Sequence, residues 1–259
     1  KMMNFETVKL IKKNKICSIV INRPDVLNAV NEQLVWDLQK ALETAQNDDN
    51  VKIIILSGAG RGFCAGADLS ERESSWAGSK DALLRGYKPI FENIINMPKP
   101  VIASISGPAA GIGAAIAMSC DLRVMSKKSY ILSVFSNIAL VPDGGLNWLL
   151  PKYLGYSAAY EYAIEAKKIS AEECLKCGIA NKVVSEEELE SSTHQWAEKL
   201  SKRSSQSLSY TKKLMRQSLF ESYWDTFNHE AEIQNNLTGS DQNKEAVKAF
   251  FERREPKFD

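Results

Sequence analysis

The sequence predicts an α/β fold that ends in a helical region. Patterns of strand, turn and helix recur three times before residue 125, the element order of an α/β core rather than of a separate sheet and bundle. The run Val51 to Leu56 is apolar, as a strand buried on both faces requires. From about Glu186 onward the periodicity is helical only: Leu189, Trp196 and Leu200, then Leu208, Leu214 and Leu219, then Val247, Phe250 and Phe251.

Taken in order, Val8 to Ile11 and Ile16 to Asn22 read as an antiparallel hairpin across Lys12 to Lys15. Arg23-Pro24-Asp25 breaks the chain into a loop. Asn31 is placed to cap a helix whose apolar stripe is Leu34, Leu38, Leu42 and Ala45, and Asp48-Asp49-Asn50 ends it. The strand from Val51 gives way to a glycine-rich turn, Ser57 to Gly62, and then to a polar segment around Ser70 to Ser79 that is expected to be mobile. A helix is expected over Lys80 to Met97, stopped by Pro98 and Pro100. Val101 to Ser106 forms the next strand, Gly107 and Pro108 lead into a small-residue helix from Gly111 to Cys120, and a strand follows at Leu122 to Met125. A further helical pattern covers Ala171 to Gly178.

Composition narrows the class. The 259 residues suit one large domain or a domain with an appendage; the expected division is an α/β core over 1–195 and a helical region over 196–259. The formal net charge of +1 provides no global field for nucleic acid or a membrane surface. Lys1 to Lys15 lacks the apolar core of a signal peptide, and no apolar stretch is long enough to span a bilayer. The five cysteines, at 17, 64, 120, 174 and 177, are an odd and scattered set that reads as free thiols in a reducing compartment, hence a cytoplasmic protein. Cys174 and Cys177 have redox-motif spacing, but no second pair accompanies them for zinc, and two helical positions three apart explain them. The two histidines, His194 and His229, lie in the helical region, away from any nucleophile or metal-ligand cluster.

Two stretches carry chemistry. Gly62-Phe63-Cys64-Ala65-Gly66-Ala67-Asp68-Leu69 and Gly107-Pro108-Ala109-Ala110-Gly111-Ile112-Gly113-Ala114-Ala115 each place glycines where a strand turns into a helix. Glycine lets backbone N–H groups approach a ligand, and a helix start offers unpaired donors with partial positive charge. Two such ends meeting at one carbonyl oxygen make an oxyanion hole. Neither stretch has dinucleotide or nucleoside-triphosphate glycine spacing, and either one alone is compatible with plain tight packing.

The order of motifs is more specific than any member of it. Asn22-Arg23-Pro24 with Leu27-Asn28-Ala29, the two glycine stretches, Val141-Pro142-Asp143-Gly144-Gly145, Ile169 to Glu173 with Gly178-Ile179-Ala180, and Ala249-Phe250 with Arg253-Arg254 follow one another along the chain. This series resembles the crotonase, or enoyl-CoA hydratase/isomerase, superfamily over essentially the whole length.

The resemblance implies a crotonase-type spiral of repeated strand–strand–helix units with a C-terminal helical region, built into a homotrimer or a dimer of trimers. It implies an acyl-CoA thioester as substrate, with no tightly bound cofactor, because coenzyme A arrives as part of the substrate. It assigns the first oxyanion donor to the Ala67 N–H and the second to the Ile112 N–H, with Gly111-Ile112-Gly113 standing where many relatives have three glycines. It lays coenzyme A along Val26, Leu27, Ala65, Ala67, Asp68 and Leu69, and turns Arg253 toward the phosphates, from the same or a neighbouring subunit.

Family hydratases use two glutamates, and the matching positions are Ala115 and Phe135, neither of which moves a proton. Asp143 stands where isomerases of the superfamily, including ring-epoxide isomerases of phenylacetate breakdown, place a lone carboxylate. One base suffices to shift a double bond through a stabilised dienolate. The expected activity is therefore enoyl-CoA isomerisation by Asp143; the alternatives are hydration or acyl-CoA hydrolysis with Asp143 activating water, and acyl-CoA binding without catalysis. Asp143 also suits a helix N-cap, Asp68 a structural carboxylate at a helix start, and Trp76 and Trp148 either acyl-pocket walls or packing. The segment from Glu71 to Gly86 is expected to shape the acyl pocket.

Overall fold

The computed structural model describes residues 2–71 and 73–258, apart from the side chain of Asn4. Met2–Asn4 (β1), Val8–Lys13 (β2) and Ile16–Ile21 (β3) form an antiparallel meander, and Lys13 faces Ile16 across the β2–β3 turn. Asn14 makes that turn with φ 53°, a conformation asparagine tolerates. From β3 the chain crosses through Glu32–Gln46 (α1) to Ile53–Gly58 (β4), which pairs parallel to β3. A parallel neighbour needs such a crossover. As expected, Asn31 caps α1, its side chain accepting from the Leu34 N–H at 3.0 Å, and the helix buries Leu34, Leu38, Ala41, Leu42 and Ala45.

The next helical stretch differs from expectation. It consists of Ser79–Asp81 (α2), a π-turn over Ala82–Tyr87, and Lys88–Asn96 (α3). Pro89 has no N–H to continue the α-helical ladder, and Lys88 N–H bonds back to the Leu83 carbonyl instead. A π-turn inserts one extra residue and re-aims the side chains around it. The preceding polar segment, expected to be mobile, is tied to α1. Ser75 donates through its N–H and hydroxyl to Glu32, Glu71 accepts from the Glu32 N–H, and Trp76 packs on Trp36 at 5.2 Å between centroids.

Val101–Ile105 (β5) pairs parallel to β4; Pro108–Ala110 (β6) leads into Ile112–Ser119 (α4), and Leu122–Ser126 (β7) returns beside β5. Tyr130–Leu132 (β8), Leu146–Leu154 (α5), Tyr156–Ile164 (α6), Lys168–Ser170 (β9), Ala171–Lys176 (α7) and Lys182–Val184 (β10) follow. The strands form a seven-stranded sheet ordered β1-β2-β3-β4-β5-β7-β10 and a three-stranded sheet ordered β6-β8-β9. The small sheet was not legible in the sequence, because its three-residue strands are too short to show a period.

Leu189–Ser201 (α8) lies across β3, β4, β5 and β7. It closes a second core, in which Leu189 and Ala197 meet Ile16, Ile53, Ile55, Ile102 and Val124. The expected division at 195/196 falls inside this helix. Ser205–Ser218 (α9) is held by Asp121, whose carboxylate takes Lys212 at 2.8 Å and Arg216 at 2.9 Å. Tyr223–Leu237 (α10) and Asp241–Phe251 (α11) complete the chain.

Candidate active site

The site is built where β4 and β5 end. Asn28 organises the first loop. Fully buried and left-handed at φ 60°, it donates to the Ala59 and Gly62 carbonyls at 2.9 and 2.7 Å, while its Oδ1 accepts from the Arg23 N–H. Ala65 N–H donates to the Leu27 carbonyl and Val30 N–H to the Gly66 carbonyl. The chain from Val26 to Leu27 therefore runs alongside Ala65 to Ala67. Val26 is 43% exposed and Leu69 68%, so this edge offers apolar surface to a ligand. The Asp68 carboxylate accepts from the Ser70 hydroxyl and from Arg23, and these partners, Ser70 first, hold it below the usual carboxylate range. Its side chain is committed to the loop.

The second loop packs directly on the first. Ala110 N–H donates to the Cys64 carbonyl at 2.9 Å. A Cβ built on Gly113 would stand 2.4 Å from that carbonyl oxygen and 2.7 Å from the Cys64 sulfur, so only glycine lets α4 start this close. Gly66 (φ +104°) and Gly111 (φ +55°) face each other; a Cβ on Gly111 would lie 3.6 Å from the Gly66 Cα. Among the described residues, neither the Ala67 N–H nor the Ile112 N–H donates to a protein acceptor. Two free donors thus sit on adjoining loops, one of them at the start of α4. Cys64 is buried, which pushes its thiol up to about 12, so it is a packing group and no nucleophile.

Ala115 and Phe135 border the same space. The phenyl Cζ of Phe135 lies 3.9 Å from a Cβ built on Gly111. Gly144 (φ +61°) presses against α4, and a Cβ there would stand 2.6 Å from the Ala115 Cβ and 2.9 Å from Ile112 Cδ1 and Phe91 Cζ. Asp143 is therefore carried to the edge of the two-loop junction. It does not cap α5: Gly145 occupies the N-cap, and no side chain bonds there. The Asp143 Oδ1 is shut off from solvent with no hydrogen-bond partner. Burial alone raises its carboxyl from 3.8 to about 6, the range of a general base near neutral pH.

Tyr87, at the end of the π-turn, is a neighbour that the sequence did not single out. Burial first, then the nearby Cys64 and Asp143, push its phenol well above the usual range, so it stays a neutral hydroxyl. Pro89 inside a helical pattern was the available signal. Beyond Gly144 and Gly145 an apolar cavity opens between α3 and α5, lined by Trp148 among others. Trp76 does not line it and packs on Trp36 and Arg85 instead.

Arg253 is exposed at the end of α11 and makes no hydrogen bond or ion pair with the Val26–Leu27 loop among the described residues. The chain after it is fixed at the opposite end of the sheet, where the Phe258 carbonyl accepts from Lys15 and Lys52. Among the described residues, no group of three His, Cys, Asp or Glu side chains could hold a metal ion. No described helix is long and apolar enough to cross a membrane. Cys174 is buried and its thiol is pushed up to about 12, opposite to the depressed value of a redox thiolate.

The family model for enoyl-CoA hydratase/isomerase matches residues 11–259. The chain belongs to this family. It is 31% identical to the 1,2-epoxyphenylacetyl-CoA isomerase of Escherichia coli K12, over 94% of each chain. It is also 31% identical to a probable enoyl-CoA hydratase of Rhodobacter capsulatus and to the trans-2-decenoyl-[acyl-carrier-protein] isomerase of Streptococcus mutans, over 99% of each chain. An enoyl-CoA hydratase structure from Geobacillus kaustophilus superposes with a TM-score of 0.91 at 29% identity, covering 98% of both chains. The fold is thus the crotonase fold, and acyl-CoA thioester substrates fit the family.

Proposed function

We propose that this family member is an enoyl-CoA isomerase. The thioester oxygen sits between the Ala67 and Ile112 N–H groups, coenzyme A follows Val26, Leu27 and the backbone of Ala65 to Leu69, and Asp143 moves the proton. Asp143 takes a proton from the α-carbon of a 3-enoyl thioester, the two donors hold the dienolate oxygen, and Asp143 returns the proton at the γ-carbon. The observation that carries this reading is the Asp143 carboxylate itself, uncapped, with one oxygen sealed and unpaired, beside Ala115 and Phe135 where a hydratase has carboxylates. A single base then has to give and take back the same proton.

The test follows absorbance of the protein with a 3-enoyl-CoA. A rise from the conjugated 2-enoyl thioester, with no oxygen-18 taken up from labelled water, is the expected result. Uptake of the label would replace this reading with hydration or hydrolysis by an Asp143-activated water. No absorbance change together with no exchange of the α-proton in deuterated water, with the thioester still bound, would leave only a binding role.

This reading also makes α9 to α11 a subunit interface in a cytoplasmic homotrimer or dimer of trimers. Phe220, Tyr223, Trp224, Phe250 and Phe251 are each more than two-thirds exposed on these helices and the turn between them, an unusual density of aromatic surface for a lone chain. Arg253 then reaches coenzyme A phosphates across that interface. Sedimentation is expected to give the mass of three or six chains; a monomer would remove both assignments.

A further inference from the structure

The cavity beyond Gly144 adjoins a second one, and the wall between them is thin. The first, about 430 Å3, begins at Gly144 and Gly145 and is walled by Leu83, Leu84, Phe91 and Ile95. The second, about 550 Å3, is lined by Met118, Leu122, Tyr153, Leu200, Leu208 and Met215. Trp148, Leu149 and Arg216 line both and so form the partition. Leu149 is buried, and Arg216 is pinned to the Ser119 carbonyl and Asp121. Trp148 is different. Its indole is 37% exposed and held from two sides, by Phe220 stacked at 5.2 Å and 14° and by the Lys152 ammonium 4.2 Å above the ring. Stacking and a cation over the ring fix an aromatic plane without burying it.

We propose that Trp148 is a chain-length stop: the acyl tail runs past Gly144 into the first cavity and ends against this indole, so that the protein prefers medium-length apolar acyl groups to long ones. This rests on the thioester reading of the site. The lining is mainly aliphatic and aromatic, with Lys88, Glu92 and Asn96 also on it, which suits an unbranched hydrocarbon tail. At roughly 30 Å3 per heavy atom, a cavity of about 430 Å3 accepts on the order of a dozen chain atoms. Without the indole, only Leu149 and Arg216 remain between the two cavities.

The experiment is calorimetric binding of saturated straight-chain acyl-CoA thioesters, from butanoyl to octadecanoyl, to the full chain and to Trp148→Ala. Wild-type affinity is expected to rise about fourfold per methylene to near dodecanoyl and then to stop rising. In Trp148→Ala the rise continues, so that hexadecanoyl gains at least about tenfold over octanoyl relative to wild type. Trp148→Leu serves if the alanine variant does not fold, and the same extension is expected of it. Identical profiles in wild type and variant, or a wild-type affinity that climbs steadily to octadecanoyl, overturn the proposal. Because saturated thioesters need no turnover, these results stand apart from the isomerase reading, which loses its support separately if 3-enoyl thioesters of bound lengths are not converted.

Discussion

Asp143→Asn is expected to lower isomerase turnover by about 10²–10⁴-fold while thioester binding persists, since a positioned general base contributes about that much. Asparagine keeps the shape and loses the basic carboxylate. The same residue sets the pH profile: with its carboxyl raised from 3.8 to about 6 by burial, wild-type kcat/KM rises with pH and levels off above about 6. Stability runs the other way. The folded value lies above the unfolded one, so the native state holds this proton more tightly, and stability falls as pH climbs from about 4 through about 6. Asp143→Asn has no charge to bury and escapes that loss. The rise to about 6 caps the difference at about 3 kcal/mol, and the half-exposed position reduces it to about 1 kcal/mol. The variant is therefore expected to melt higher than wild type at pH 8 and equally at pH 4, by calorimetry. Full turnover in the variant would sink the assignment of the base. A lower melting point at pH 8 would mean that the carboxylate makes a stabilising contact.

Gly113→Ala is expected to lower kcat/KM by about 10²-fold, because a small displacement of a catalytic group costs that much, and one lost oxyanion donor costs about 10²–10³-fold. The added methyl would stand 2.4 Å from the Cys64 carbonyl oxygen, and backbone cannot yield as a side chain does. The start of α4 has to back away from the Cys64–Gly66 loop, which separates the Ile112 N–H from the Ala67 N–H. Such overpacking costs about 1–3 kcal/mol of stability, readable by urea unfolding. The kinetic and folding losses are expected together. Wild-type kcat/KM in a folded variant would show that the two loops need not touch for the donors to act.

Much of this was legible in the sequence, for reasons particular to each element. The β2–β3 hairpin and α1 announced themselves through local signals: a turn between apolar runs, an Asn cap and a helical stripe. The glycines at 66, 111 and 113 were readable because glycine marks places where backbone must approach backbone. The motif order identified the family, which the family model and the fold bear out. The π-turn before α3 was missed because its break depends on one proline within a good helical pattern. The segment around Ser75 was expected to be mobile because its anchors, Glu32 and Trp36, lie about 40 residues away. Trp76 and Trp148 looked equivalent as sequence and proved to lie in different places.

By itself the sequence determined the fold class and the family, and it singled out the two glycine-rich loops and Asp143 as candidates. These follow from periodicity, caps, glycine placement and motif order, all of which are properties of neighbouring residues. Tertiary structure alone decided whether the Asp143 side chain caps a helix or stands half-buried with one oxygen sealed and unpaired, that the neighbouring Gly144 presses against Ala115 and Ile112, and that Trp148 lines two cavities. Burial and close approach depend on residues far apart in the chain, and no local pattern records how deeply they bury one another.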